Sequence, residues 1–555
     1  MKRLNKSLIL LVLTTLFGTV SAQMSYGGKP HINDVKHPNS LAIVELPYID
    51  NNQSLLEDEQ LNAKGRPYRI GTVHDVLISN STDGTWDTLP DGGRLWRVAV
   101  RSANATFVYP ILDTYIIPDG AEVFVYSPNQ DFILGKFTNA NADEGKFHTQ
   151  IVPGEEFIIE YYEPANAAFA GKLIINQVAR GHRDAFPSMS LATKGGLGNA
   201  DGNCHINVAC PEGDNWRDQI NGVVCISITT NNSVYSCSGS MINNTRNDGK
   251  QYLLTANHCQ EGLNVRRWTF YFLYQAITCA GTNAPINKSA TGAYIVANKA
   301  IQESYFGVTG SDFLLLRVTG IINPEYNVYF NGWDRTNSTN NIVGACIHHP
   351  GGDMKKISIP SAVGHYNNRS SMPVWQVTWI TNAANNKGVT EEGSSGSPLF
   401  NANKRIIGQL WAGQSYCDVL NGKDYYGKLY SSWSGGGTSE TRLSDWLDPT
   451  GSNVNFVNGR YASDTVGITT PANNAKRSMK LFPNPAKKAV NIELDETGIA
   501  EYAIYTQTGV AVRQGRMLLG LSAYRLDAKG LAAGSYVLSI AVNGQRFVPH
   551  LLIAK

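Results

Sequence analysis

Three serines stand within four residues in Glu-Glu-Gly-Ser-Ser-Gly-Ser-Pro-Leu-Phe, residues 391–400, set between glycines and closed by a proline. A serine hydroxyl attacks a carbonyl only when several groups assist it. It needs a turn that exposes it, a histidine to take its proton, a buried carboxylate to orient that histidine, and backbone N–H groups to hold the oxyanion. The histidine and the carboxylate must come from elsewhere in the chain. His258 is the histidine candidate, in Leu-Leu-Thr-Ala-Asn-His-Cys-Gln, after a strand-like run and beside a cysteine that can tether its loop. Asp312 is the carboxylate candidate, just ahead of the apolar run Phe-Leu-Leu-Leu-Arg-Val, where a partly buried charge needs a partner. Each alone has a plainer reading: a glycine turn, one structural histidine among eleven, a strand-entry cap. Together they occur in the order His258, Asp312, Ser395, which is one of the three known chain orders for such a triad.

The pattern Gly-X-Ser-Gly-X-Pro, laid over residues 393–398, selects Ser395 as the nucleophile and assigns the oxyanion hole to the N–H groups of Gly393 and Ser395. Glycine at 393 lets the backbone turn its amide inward. Ser394 fills the position where trypsin-like zymogens carry an aspartate that pairs with a new N-terminus. That ion pair is impossible here, so maturation must work another way.

The elements that position these residues are strands. Hydrophobic content of 42% and charged content of 17% fit packed globular domains, and 555 residues call for about three of them. The 53 glycines and 26 tyrosines lean toward strands joined by tight turns. A net charge of +2 gives no electrostatic case for nucleic acid or membrane-surface binding. Residues 1–22 read as a signal peptide: a basic start, an apolar run from Leu8, and cleavage after Ala22. A membrane anchor is the weaker reading because the apolar run is short for a span. All eight cysteines lie between 204 and 417, so disulfides staple one central domain of a secreted protein. Zinc is disfavoured because no Cys-X-X-Cys pair exists, and no cofactor is expected.

Residues 23–194 form a cysteine-free β-sandwich, with Arg-Leu-Trp-Arg-Val-Ala-Val-Arg-Ser, Glu-Val-Phe-Val-Tyr and Glu-Phe-Ile-Ile-Glu-Tyr-Tyr-Glu as strands. A Gly-rich boundary leads into the cysteine domain, 195–460, whose clearest helix is predicted over Arg442–Pro449, capped by Ser444 or Thr441. Residues 461–479 read as a linker, and 480–555 as a compact β-sandwich with Thr-Gly and Asn-Gly turns.

The segment 204–455 resembles the bacterial lysyl endopeptidases. The resemblance is carried by Cys-His-Ile-Asn-Val-Ala-Cys-Pro-Glu-Gly, Leu-Leu-Thr-Ala-Asn-His-Cys, Ile-His-His-Pro-Gly-Gly-Asp-Met, Gly-Val-Thr-Glu-Glu-Gly-Ser-Ser-Gly-Ser-Pro and Ser-Glu-Thr-Arg-Leu-Ser-Asp-Trp-Leu-Asp-Pro. It implies an all-β, chymotrypsin-like double barrel with the triad in the cleft. It also implies disulfides Cys204–Cys417, Cys210–Cys279 and Cys237–Cys259. Cys225 and Cys346 are extra, with a fourth bridge slightly favoured over two buried thiols. The resemblance further implies a lysine pocket with Asp424 at its base, Asp418 being the rival, and with Thr390 and Ser415 lining it. Trp411 stands where the family has a histidine stacked on a tryptophan near the triad; Tyr366 is its expected ring partner. A lysine-specific enzyme would cut after Lys194, in Leu-Ala-Thr-Lys-Gly-Gly, and release 23–194 as a propeptide. The C-terminal segment resembles the sorting domain of type IX secretion substrates, which implies export from a Gram-negative cell and either release or surface attachment.

The expectation is a secreted, monomeric serine endopeptidase that cleaves after lysine and takes proteins or peptides as substrates. Two rival readings are a trypsin-like or glutamyl specificity on the same fold, and an adhesin with a dead protease domain. The intact His258, Asp312 and Ser395 argue against the latter. His348 and His349 read as structural, since neighbouring strand residues face opposite ways and cannot jointly bind a metal.

Overall fold

The computed structural model describes residues 28–463 and 479–554, apart from 62–66, 184–203, 261–263, 283, 305–306, 321, 380–386, 495–497, 507–510, 520–523, 543–544 and 548–549. The signal peptide with Ala22, the boundary segment with Lys194, and most of the linker lie outside the described residues. The chain forms two compact units, 1–463 and 464–555.

The protein is all-β, and two barrels form the centre of the first unit. The first barrel closes in the strand order Val223–Thr229, Ser233–Met241, Tyr252–Ala256, Phe313–Val318, Ala293–Lys299 with Ser289–Thr291, and Thr269–Phe272. Its closure depends on Gly292, at φ +80°. That residue bends one strand so that Ala293–Lys299 pairs with Phe313–Val318 while Ser289–Thr291 pairs with Thr269–Phe272. The second sheet runs Lys356–Ser358, Ala345–His348, Pro398–Phe400, Ile406–Gly413, Lys423–Lys428, Val374–Thr378, Ala362–His365. Ile206–Asn207 pairs on the far side of 356–358. Strands 356–358 and 362–365 lie near opposite ends of the order yet are consecutive in the chain, so the sheet must curl back on itself.

The triple leucine of Phe-Leu-Leu-Leu-Arg-Val reflects this packing. Leu314 and Leu316 face the interior of the first barrel, whereas Phe313 and Leu315 face a core shared with Ala345, Ile347 and Phe400 of the second. A strand buried on both faces loses polar–apolar alternation. Each fully buried leucine contributes about 1.5–3 kcal/mol. This strand and its neighbour Tyr252–Ala256 are therefore rigid supports, and Asp312 and His258 sit at their ends, on the rim between the barrels.

The N-terminal region is a two-sheet sandwich, but it does not stand apart. Its strand Tyr68–Ser79 pairs antiparallel with Ser233–Met241 of the first barrel, Tyr68 opposite Ser236 and Val234 opposite Gly71. One twelve-stranded sheet thus runs through both. Phe107, Ile111, Tyr271, Tyr274 and Cys225 share one core, and the Tyr109 hydroxyl meets Thr229 Oγ1 at 2.7 Å.

Two sequence expectations need correction. The predicted helix over 442–449 is a 3₁₀ turn at Ser439–Thr441 and a single α turn at Ser444–Leu447, with Leu443 at its N-cap. Thr441 hydrogen-bonds Thr438 instead of capping it. Cys225 and Cys346 form no bridge: they lie in different cores, where their thiols meet Ser236 Oγ at 3.7 Å and Ser397 Oγ at 3.3 Å. The polar helix Asn51–Leu61 was not anticipated, having no apolar stripe.

The C-terminal unit pairs a three-stranded sheet (Met479–Phe482, Ala489–Leu494, Tyr524–Asp527) with a five-stranded one centred on Gly498–Thr506 and Gly534–Val542. Val490, Ile504, Leu538 and Ile540 fill its core.

Candidate active site

Strand Tyr252–Ala256 delivers His258 through a short 3₁₀ turn, Asn257–Cys259. Cys259 is tied to Cys237 of the adjacent strand. The His258 ring meets the Asp312 carboxylate, Nδ1 to Oδ2 at 2.6 Å, and the His258 amide donates to Oδ1 at 3.1 Å. The Asp312 carbonyl accepts from Asn257 N–H at 2.7 Å. Asp312 holds φ +55°, a left-handed conformation that these three bonds over-determine. Burial raises the Asp312 carboxyl above its ordinary value, and contact with His258 opposes that rise. A carboxylate so placed fixes the ring tautomer and leaves Nε2 to accept a proton. Nε2 has no hydrogen-bond partner among the described residues.

Ser395 is 7% exposed and lies on a turn pinned by the first barrel. Ser238 donates from its amide to the Ser395 carbonyl at 2.8 Å and from its hydroxyl to the Gly393 carbonyl at 2.9 Å. No hydrogen bond joins Ser395 Oγ to His258 Nε2; such contacts often tighten only around substrate.

The amides of this turn are aimed by their carbonyls. In a trans peptide the C=O and N–H point opposite ways. The Glu392 carbonyl accepts from Gly351 N–H at 2.7 Å, so the Gly393 N–H points away from the protein body. The Ser394 carbonyl accepts from Ser397 N–H at 2.9 Å, which orients the Ser395 N–H in the same manner. Neither amide donates to a backbone carbonyl among the described residues. Gly393 sits at φ +85°, and an added Cβ would approach Gly352 N and His349 O to 2.9 Å each. Only glycine fits there.

Asp424 is fully buried. Its Oδ2 accepts from Trp379 Nε1 at 2.6 Å, Ser415 Oγ at 2.5 Å and the Thr390 hydroxyl, and its Oδ1 from Ser415 N–H at 3.3 Å. The two hydroxyls spend their protons on the carboxylate and keep lone pairs that can accept from a cation. Asp418 is exposed. Gly413, packed against Asp424 Oδ1, leads into a cleft of about 730 Å³ walled by Tyr366, Trp411, Tyr416 and Tyr425. Trp411 packs on Tyr425, with ring centroids 6.4 Å apart, and Tyr425 meets Tyr366 at 5.3 Å. The ring partner of Trp411 is therefore Tyr425, with Tyr366 one ring further on.

The bridges are Cys204–Cys417, Cys210–Cys279 and Cys237–Cys259. Cys204, His205, Glu391 and Cys417 converge as potential metal ligands, but two of the sulfurs are bonded to each other, and His205 Nε2 pairs with Glu391 at 3.1 Å. Sequence reasoning missed Trp379, which lies in no recognised motif. It also missed the tie between His348 and Ser394, for which the only signal was the His-His-Pro-Gly-Gly run.

Residues 198–427 match the family model of the lysyl endopeptidase C-terminal domain, and residues 480–554 match the secretion system C-terminal sorting domain. A curated lysyl endopeptidase of Pseudomonas aeruginosa is 26% identical over 414 residues, which covers 67% of this chain and 80% of that one. Among solved structures, a thermostable serine protease, AL20, from an extremophilic microorganism overlaps with a TM-score of 0.28 at 13% identity, over 38% of this chain and 92% of its own. A Glu endopeptidase overlaps with a TM-score of 0.25 at 16% identity, over 41% and 93%.

Proposed function

We propose that this chain, a secreted serine endopeptidase resembling the lysyl endopeptidases, cuts peptide bonds on the C-terminal side of lysine. Ser395 is the nucleophile, and His258 is the base that takes its proton and later returns it to the leaving amine. Asp312 orients the imidazole and stabilises its cation. The N–H groups of Gly393 and Ser395 hold the oxyanion. The acyl-enzyme on Ser395 Oγ is then hydrolysed by water.

The observation that carries the lysine reading is the buried Asp424 carboxylate beside Gly413 at the cleft. An anion in such a site is best met by a cation brought by the substrate. The oxygens of Thr390 and Ser415 would accept the remaining ammonium protons. A carboxylate base also suits arginine, so the test uses three peptides identical except for Lys, Arg or Ala before the scissile bond. The expected ranking is Lys, then Arg, then Ala, with no cleavage by Ser395→Ala. Activity retained in Ser395→Ala would refute the nucleophile, and equal cleavage after Lys and Ala would refute the pocket.

Residues 23–194 act as an inhibitory, fold-assisting propeptide that is removed by a cut after Lys194, by the enzyme itself or in trans. N-terminal sequencing of the secreted protein should read from Gly195, and a different start would exclude self-processing. The 480–555 sorting domain engages type IX secretion machinery.

A further inference from the structure

We propose that His348 is a positioning residue for the reaction at Ser395, a buried neutral imidazole that locks the turn between the two oxyanion N–H groups. The inference rests on the reading of Ser395 as nucleophile.

His348 ends the strand Ala345–His348 and is fully buried. Its Nδ1 lies 2.7 Å from Ser394 Oγ and its Nε2 2.9 Å from Ser358 Oγ. The neighbouring bonds fix the direction of every proton. Ser358 Oγ donates to the Val389 carbonyl at 3.0 Å, so towards His348 it can only accept, and Nε2 carries the hydrogen. Nδ1 is then an acceptor and takes the Ser394 hydroxyl proton. Ser394 Oγ in turn accepts from Glu391 N–H at 3.2 Å. The loop runs Glu391 N–H to Ser394, to His348, to Ser358, to the Val389 carbonyl, and it returns to the segment where it began. Each hydroxyl in it donates once and accepts once, and the imidazole donates at Nε2 and accepts at Nδ1.

Ser394 is the residue between Gly393 and Ser395, so its side chain is the lever on both amides. Cys346, on the same strand face as His348, meets Ser397 at 3.3 Å. The Pro350–Gly352 turn that follows His348 supplies the Gly351 N–H to the Glu392 carbonyl. The strand and the turn after it thus hold the nucleophile turn at three points, of which only His348 reaches Ser394 itself. An imidazolium would not serve: with a hydrogen on Nδ1, the Ser394 hydroxyl proton would lose its acceptor. Burial keeps the ring neutral by lowering its proton affinity far below the ordinary histidine range.

The test compares wild type with His348→Ala, His348→Asn and Ser394→Ala. Each is assayed on a peptide substrate cut after lysine and on two inhibitors of the same peptide, one ending in lysinal and one in the matching alcohol. The aldehyde forms an adduct whose oxygen needs both N–H groups, and the alcohol does not. His348→Ala and Ser394→Ala should lower kcat by about 10²-fold, the scale of losing an oxyanion donor, with KM little changed. Aldehyde binding should weaken in proportion while alcohol binding holds. The double variant should be no worse than the poorer single, because both break one chain. His348→Asn keeps an acceptor near Nδ1 and should recover part of the loss. Full kcat in the single variants, multiplying losses, or equal weakening of aldehyde and alcohol would overturn the positioning role. Should His348→Ala fail to fold, Ser394→Ala, which removes one hydroxyl, gives the same readouts. If wild type does not prefer the aldehyde, or Ser395→Ala still cleaves, the nucleophile reading falls first and takes the positioning role with it.

Discussion

Replacing Asp424 by asparagine removes a charge and keeps a shape. The carbonyl of the new side chain can occupy the Oδ2 site and keep the bonds from Trp379, Thr390 and Ser415 Oγ. The amide nitrogen then faces the Ser415 N–H, which loses its acceptor at 3.3 Å. That mismatch costs about 1–3 kcal/mol. Relief of a fully buried carboxylate's desolvation offsets it, so the melting temperature should hardly move. Substrate binding has no such offset. Removing one partner of a buried ion pair costs about 3–5 kcal/mol, and at about 1.36 kcal/mol per decade this is about 10²- to nearly 10⁴-fold. Neutral donors already share the Asp424 charge, which favours the middle of that range, about 10³-fold. The assay is kcat/KM on peptides with Lys or Ala before the scissile bond, with calorimetry alongside. The Lys peptide should lose about three decades and the Ala peptide almost nothing. Equal losses on both peptides, or an unchanged Lys peptide, would refute the assignment of Asp424 as the pocket anion.

Three further outcomes follow from burial and pairing. Because burial raises the Asp312 carboxyl, its protonated form favours folding and that advantage is lost as pH climbs through the folded value. The stability difference between Asp312→Asn and wild type should therefore shift in the variant's favour from about pH 3 to 7, while kcat falls about 10⁴-fold; a shift of the opposite sign would refute the burial argument. Burial pushes the thiols of Cys225 and Cys346 up to about 12, so iodoacetamide should add nothing to the native protein by mass and two groups in denaturant without reductant; labelling under native conditions would contradict the closed cores. The continuous sheet and shared core predict that a chain cut between 184 and 203 still elutes as one particle in plain buffer, so release of the N-terminal region needs a step beyond that cut; fragments that separate in plain buffer would show that the strand pairing contributes little.

Strand content was legible because alternation and turn residues are local signals. Arg94–Arg101, Glu122–Tyr126 and Glu156–Glu163 all stand where the pattern put them. Residues that answer to partners far along the chain were harder to read. Nothing near Tyr68 announces that it lies opposite Ser236, since strand pairing across such a distance depends on register. The Arg442–Pro449 segment looked helical by its caps, yet the docking of Leu443 and Leu447 into the inter-barrel core holds only one turn. Trp379 was invisible as a pocket residue because an indole N–H carries no sequence motif. Cys225 and Cys346 could pair on paper, but they lie on strands that belong to different cores.

The same distance dependence bears on activation. In the full chain, with the N-terminal region still paired to Ser233–Met241, the Glu392 carbonyl is bound by Gly351 and the Ser394 hydroxyl by His348. A zymogen that lacked its oxyanion turn would leave these groups unsatisfied or turned the other way. Among the described residues, the bonds that aim the Gly393 and Ser395 amides are internal to the two barrels, and they are complete while the N-terminal region is still attached. What a cut could change is restraint: Tyr68 lies opposite Ser236, two residues from the Ser238 that donates to the Gly393 and Ser395 carbonyls.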